Sequence, residues 1–156
     1  MLYVAGLIVL ATILMILIVQ FYGIYRELIS LPRADRTGLL VVDRITKELR
    51  SGSQIDAINS IFNSPNGVLD FDMYSSSTLI EKRFFVEEGV IKYQENGGAI
   101  QSLTPRDLYV SNFNFALVES GISTAVRFTM ELEFRTRNGI ETKSYTGFAI
   151  LRESYD

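Results

Sequence analysis

The chain has 156 residues, 47% of them hydrophobic, a formal charge of −3, and neither cysteine nor histidine. Without cysteine there are no disulfides, thiolate metal sites or thiol nucleophiles, and without histidine the commonest general base and metal ligand is gone. The slightly acidic balance gives no general attraction to nucleic acid.

The first element, Met1 to Tyr25, carries no charged side chain, and its only clearly polar members are Thr12 and Gln20. As a helix it would be about 37 Å long, enough to cross a hydrocarbon core of roughly 30 Å with some tilt. A secretory signal would have a basic front, a shorter apolar run and a cleavage site, and Arg26-Glu27-Leu28-Ile29 is none of these. A domain this small has no interior that could hide a helix apolar on every side. The stretch is therefore predicted to span a membrane, with Tyr3, Tyr22 and Tyr25 in the aromatic belts and Ala5, Gly6, Ala11 and Gly23 permitting close approach of other helices. Arg26, Arg33 and Arg36 outnumber Glu27 and Asp35 just after it, a weak lean toward a cytoplasmic domain.

Residues 26–52 form the second segment. Leu39, Val42, Ile45 and Leu49 fall at helical spacing, with Arg36, Asp43, Lys47 and Arg50 on the other side and Ser51-Gly52 as the stop. Asp43 and Lys47 are a favourable i, i+4 pair. Pro32 stands between the two segments without a turn-rich cluster around it, which predicts one helix of about fifty residues with a kink there.

Residues 53–156 read as strands. Ser64-Pro65-Asn66-Gly67 is a turn, after which Leu69, Phe71 and Met73 alternate with Asp70, Asp72 and Tyr74. Ser75-Ser76-Ser77, Glu88-Gly89 and Asn96-Gly97-Gly98 mark further turns around strands carrying Phe84, Val86 and Val90 to Gln94. Leu108 to Val118 places Phe113, Phe115 and Leu117 on one face. Val126, Phe128, Met130, Leu132 and Phe134 alternate with polar residues, as a sheet with one wet face requires. Arg137-Asn138-Gly139 is a strong hairpin signal, and Thr142 to Leu151 is the closing strand. The fold class is α+β: a long helix whose Leu39, Val42, Ile45 and Leu49 stripe covers an antiparallel sheet through Phe113, Phe115, Phe128, Met130 and Leu132.

This layout resembles the type IV pilin-like superfamily, in particular the minor pseudopilins that include the J subunit of type II secretion, and PilW-type minor pilins. Met1-Leu2-Tyr3-Val4-Ala5 looks like the family's apolar helix just after its glutamate, and Asp43 to Ser51, closing on Leu49-Arg50-Ser51, looks like its helix end. Phe62 to Leu69, Leu103-Thr104-Pro105 with Val110 to Phe115, and Ala149-Ile150-Leu151-Arg152 resemble the turn into the first strand, the run before the late strands and the terminal strand. The resemblance implies a non-enzymatic, single-pass inner-membrane subunit that assembles into or primes a pilus or pseudopilus. Its partners would be other pilin or pseudopilin subunits, the inner-membrane assembly platform and the lipid bilayer. It also implies an extracytoplasmic domain, overruling the weak charge lean. The family's basic leader, glycine and early glutamate do not appear, so a leader encoded in frame upstream of Met1 is expected, and no residue inherits the cleavage, methylation or assembly-glutamate roles.

No catalytic constellation can be built. Serine without histidine would need a lysine base, and no Ser-x-x-Lys motif lies in a loop. Asp70 and Asp72 could be calcium ligands, but two acids at strand spacing usually form a wet face. Arg83 to Phe85 could stack single-stranded nucleic acid, though alternation explains those aromatics as core. No cofactor, metal or nucleic acid is therefore expected. The alternative function is a membrane-tethered extracytoplasmic binding domain outside any filament.

Overall fold

The computed structural model of the chain begins with a single α-helix, α1 (Leu2–Arg50), continuous through Pro32. A proline inside a helix removes one backbone donor, and here the hydrogen bonds of the adjoining turns carry the helix past it. The described residues are 2–75, 78–120, 123–136 and 139–151, without the side chains of Leu2, Ala5, residues 26–32, Ser75 and Ser120. Met1, Ser76, Ser77, the Arg137-Asn138 turn and Arg152 thus lie outside the described residues. The helix stops where Ser51-Gly52 predicts. The amides of Ser51 and Gly52 donate to the carbonyls of Glu48 and Leu49, and Lys47 and Arg50 sit in the last turn, where the helix dipole favours cations.

Among the described residues eight strands follow: β1 (Gln54–Ile55), β2 (Leu69–Ser75), β3 (Thr78–Glu87), β4 (Val90–Glu95), β5 (Gln101–Ser102), β6 (Tyr109–Ser120), β7 (Ser123–Thr136) and β8 (Gly139–Ile150). They make two antiparallel sheets in sequence order, β1 to β5 and β6 to β8, where one sheet was expected. The division falls after β5, whose two residues are too few to template a further strand. The sheets are joined through the backbone. Phe113 N donates to Pro65 O, Gly67 N to Phe113 O and Asn63 N to Phe115 O at 2.7–2.8 Å, and Val110 N donates to Gly89 O. The turn between β3 and β4 takes positive φ at Glu88 (54°) and Gly89 (70°), the pair of left-handed residues that matches the twist of a two-residue hairpin.

Both sheets and the second half of α1 share one core. Val41, Ile45 and Leu49 meet Leu69, Phe71, Phe84, Ile91 and Tyr93 from the first sheet and Phe113, Phe115, Phe128, Met130 and Leu132 from the second. Ala34, Leu108 and Phe134 form a smaller cluster toward the apolar half of the helix.

Two expectations need correction. Leu39 is not a core residue: it is 64% exposed, and Val42 is only partly buried against the core. The buried line is Ala34, Gly38, Val41, Ile45 and Leu49, a helical face rotated from the expected one. Gly38 explains the rotation. A Cβ there would lie 2.4 Å from the Tyr145 ring, so β8 seats its largest inward side chain where the helix has none. Asp70, assigned to the wet face, is fully buried. The segment after β1 folds back over it, Ser60 Oγ bonding both the amide and the carbonyl of Asp70.

Candidate functional site

The first half of α1 stands apart from the buried core among the described residues. Among the described residues, Gly6–Tyr25 alone forms a helical segment long and apolar enough to cross a membrane, and none of it is buried. Burial separates it from a core helix, which passes the same test of length and composition while hidden. Thr12 is satisfied locally, its Oγ1 donating to Ile8 O at 2.8 Å, and backbone donors and acceptors pair along the helix.

The predicted residues fall on it in two patterns. Tyr3, Tyr22 and Tyr25 are all exposed, and at about 100° per residue they share one side of the helix. Tyr3 and Tyr22 are about 29 Å apart along the axis, close to the thickness of a hydrocarbon core. Gly6 and Ala11 are exposed and Gly23 is half-buried. These three point roughly a third of a turn from one another, so they form no common stripe. The side chain of Ala5 lies outside the described residues. A shallow apolar groove instead runs along Leu7, Ile8, Ala11, Thr12, Met15, Ile16, Val19 and Gln20, which brings both polar residues of the stretch to one face.

The helix enters the domain through a polar collar that sequence reasoning missed. Asp35 accepts the Tyr145 hydroxyl at 2.9 Å and pairs with Lys143, and Arg33 Nη1 lies 2.6 Å from Asp107. Lys143 first, and then Tyr145, hold the Asp35 carboxyl below its ordinary value. Burial and the neighbouring carboxylate push the Tyr145 hydroxyl upward, so it remains a donor. Contacts over a hundred residues apart leave no local trace. Only Tyr145, at an inward position of β8, could have signalled a buried hydroxyl in need of an acceptor.

Two charge pairs lie deeper. Arg83 grips Asp70 with Nε at 2.8 and 3.0 Å and Nη2 at 2.6 Å, and Lys82 pairs with Glu48 beside the Tyr93 ring. Lys82 shares strand parity with Ile80 and Phe84, and a charge on a core-facing position is itself a sign of a buried partner. Ile45, Leu49, Phe113, Phe115, Phe128, Met130 and Leu132 are all fully buried in the core. Among the described residues no three acids gather as a metal site would require. The charged groups that do come together bind one another: Arg33, Asp35 and Glu48 tie the helix to the domain, and Arg83 with Asp70 ties β3 to β2.

No protein-family model matches the chain, and comparison with curated proteins and with solved structures found no match.

Proposed function

We propose that the chain is a membrane-anchored, non-enzymatic subunit of the minor pilin or pseudopilin kind, which assembles into or primes a type IV pilus or type II secretion pseudopilus. One observation carries the reading. A single helix is bare and apolar over its first half and forms the core of an antiparallel domain over its second. Such a bare surface needs lipid or other helices around it, since about 25 cal/mol is lost for every Å² of apolar surface left in water. In the bilayer α1 anchors the subunit. On extraction the same surface is reburied against neighbouring helices, and the face bearing Thr12 and Gln20 is the one on which a partner helix would be met, because polar side chains in lipid turn toward protein. The domain then lies outside the cytoplasm.

The reading is tested by co-expressing the chain with a pilin assembly ATPase and platform protein, then shearing filaments from the cells. The chain should appear in the sheared fraction, and Ala11→Phe, which fills the groove, should remove it while leaving it in the membrane. A chain that stays in the membrane and never co-purifies with a major pilin is a tethered binding domain instead. A reporter active only after export, fused at Asp156, should be active; activity of a cytoplasm-only reporter there overturns the orientation.

A further inference from the structure

The β7–β8 hairpin is fixed in height against the helix. Asp35 holds Tyr145 and Lys143, Gly38 faces the Tyr145 ring, and Ala34 is buried with Phe134 and Leu108. Phe134 pairs with Glu141, so descending along β8 and descending along α1 lead the same way, toward the apolar half. Strand β7 continues two residues past Phe134, to Thr136, which pairs with Gly139. Four residues of β8, from Tyr145 to Glu141, cover the four helix positions from Gly38 to Ala34, so two further strand residues bring the strand ends level with helix positions near 32. The apolar stretch ends at Tyr25, about 10 Å further on. The headgroup layer on each side of the hydrocarbon is about 5–7 Å thick. When Gly6–Tyr25 fills the hydrocarbon, the strand ends therefore stand just above the headgroups, within reach of a long arginine side chain.

The chemistry at that height is suited to it. Arg135 and Ile140 are register partners on one face, both exposed, Ile140 at 66%. Arg106 is exposed in the loop that carries Asp107 to Arg33. Of the nearby acids, Asp35 pairs with Lys143 and Tyr145 and Asp107 with Arg33, while Glu141 accepts the Thr136 hydroxyl and Glu133 lies two residues from Arg135 on the same face of β7. No acid among the described residues pairs with Arg106 or Arg135. We propose that this end of the domain, Arg106 and Arg135 with Ile140 level with Arg135, is a second membrane contact that binds anionic phospholipid headgroups and holds the domain upright on the bilayer. Guanidinium groups at the surface are drawn to anionic headgroups, and an exposed isoleucine beside them gains by entering the interface. The proposal rests on the reading of α1 as a membrane span.

Because the chain has no cysteine, single substitutions label it at one site each. Thr142→Cys reports the hairpin, Leu14→Cys the span, and Ile58→Cys the far end, beyond the close of α1. The full chain is labelled with a fluorophore and reconstituted into vesicles of phosphatidylcholine with or without phosphatidylglycerol, carrying either a headgroup or an acyl-chain spin-label quencher. The Thr142 label should be quenched from the headgroups in phosphatidylglycerol vesicles, and the Arg106→Glu/Arg135→Glu variant should lower that quenching about two-fold or more. The Leu14 label should respond to the acyl-chain quencher in every case, and the Ile58 label to neither. If Leu14 is quenched while Thr142 behaves like Ile58, the span stands and the hairpin contact is wrong. Equal Thr142 quenching with and without phosphatidylglycerol, or no change in the double variant, also overturns it. An unquenched Leu14 label refutes the span itself.

Discussion

Replacing Arg83 by alanine strands a carboxylate in the domain interior. Asp70 is fully buried and takes three of its hydrogen bonds from the Arg83 guanidinium, while its backbone is tied to Ser60. Breaking a fully buried ion pair by removing one member costs about 3–5 kcal/mol. The Arg83 side chain is 39% exposed, so water can enter its place, and about 2–3 kcal/mol is the better figure here. For a domain of this size that is a fall in Tm of about 10 °C. Arg83→Lys keeps the charge but loses the planar fork, and should cost about 1 kcal/mol. The double variant Asp70→Ala/Arg83→Ala has no orphaned charge and should be more stable than Arg83→Ala alone. Thermal unfolding of the full chain in detergent, followed by circular dichroism, gives the double-mutant cycle. Additive losses, or an Arg83→Ala variant within about 0.5 kcal/mol of the parent, would refute the reasoning.

Three further outcomes are expected. Ile45→Asp should unfold the domain by burying an unpaired charge among the aromatics of both sheets, which loss of the sheet circular-dichroism signal would register. Leu39→Ser should shift stability by less than about 0.5 kcal/mol, whereas Val41→Ala, one face away, should cost about 1–3 kcal/mol in the same unfolding experiment. Asp35 has a folded pKa lowered from the ordinary 3.8 by Lys143 and Tyr145, so its contribution is present above that value and is lost as pH falls through the folded one. Acidification below about pH 4 should loosen β8 from α1, seen as faster hydrogen exchange in β8, and Asp35→Asn should lack that acid-dependent step.

How far the sequence discloses these features depends on how local their causes are. The extent of the helix, its stop at Ser51-Gly52 and the inward residues of β7 follow from period and turn chemistry and can be read directly. The helix face could not. Leu39, Leu40, Val41 and Val42 are consecutive and all apolar, so hydrophobicity allows several faces. The choice is made by Ala34 and Gly38, whose value lies in the room they leave. Asp70 looked wet because alternation describes a bare sheet, and the segment that covers it has no period of its own. The division into two sheets depends on pairing between distant strands, which no window of sequence contains. On the bare helix, the tyrosines could be located from sequence, but the collar of Asp35, Lys143 and Tyr145 joins residues more than a hundred positions apart.

The seat of Tyr145 on Gly38 also works as the zero mark of a ruler. One turn back stands Ala34 and one turn on stand Val41 and Val42, each with a side chain where the ring would have to lie, so the domain cannot settle at another notch on the helix. Gly38 stands thirteen positions after Tyr25, a helical rise of about 20 Å. The altitude of the domain above the apolar stretch is therefore written in the chain as a count of residues. Inserting or deleting one turn between Tyr25 and Arg33, short of Ala34 and the collar, would raise or lower the whole domain by about 5.4 Å while leaving its interior untouched.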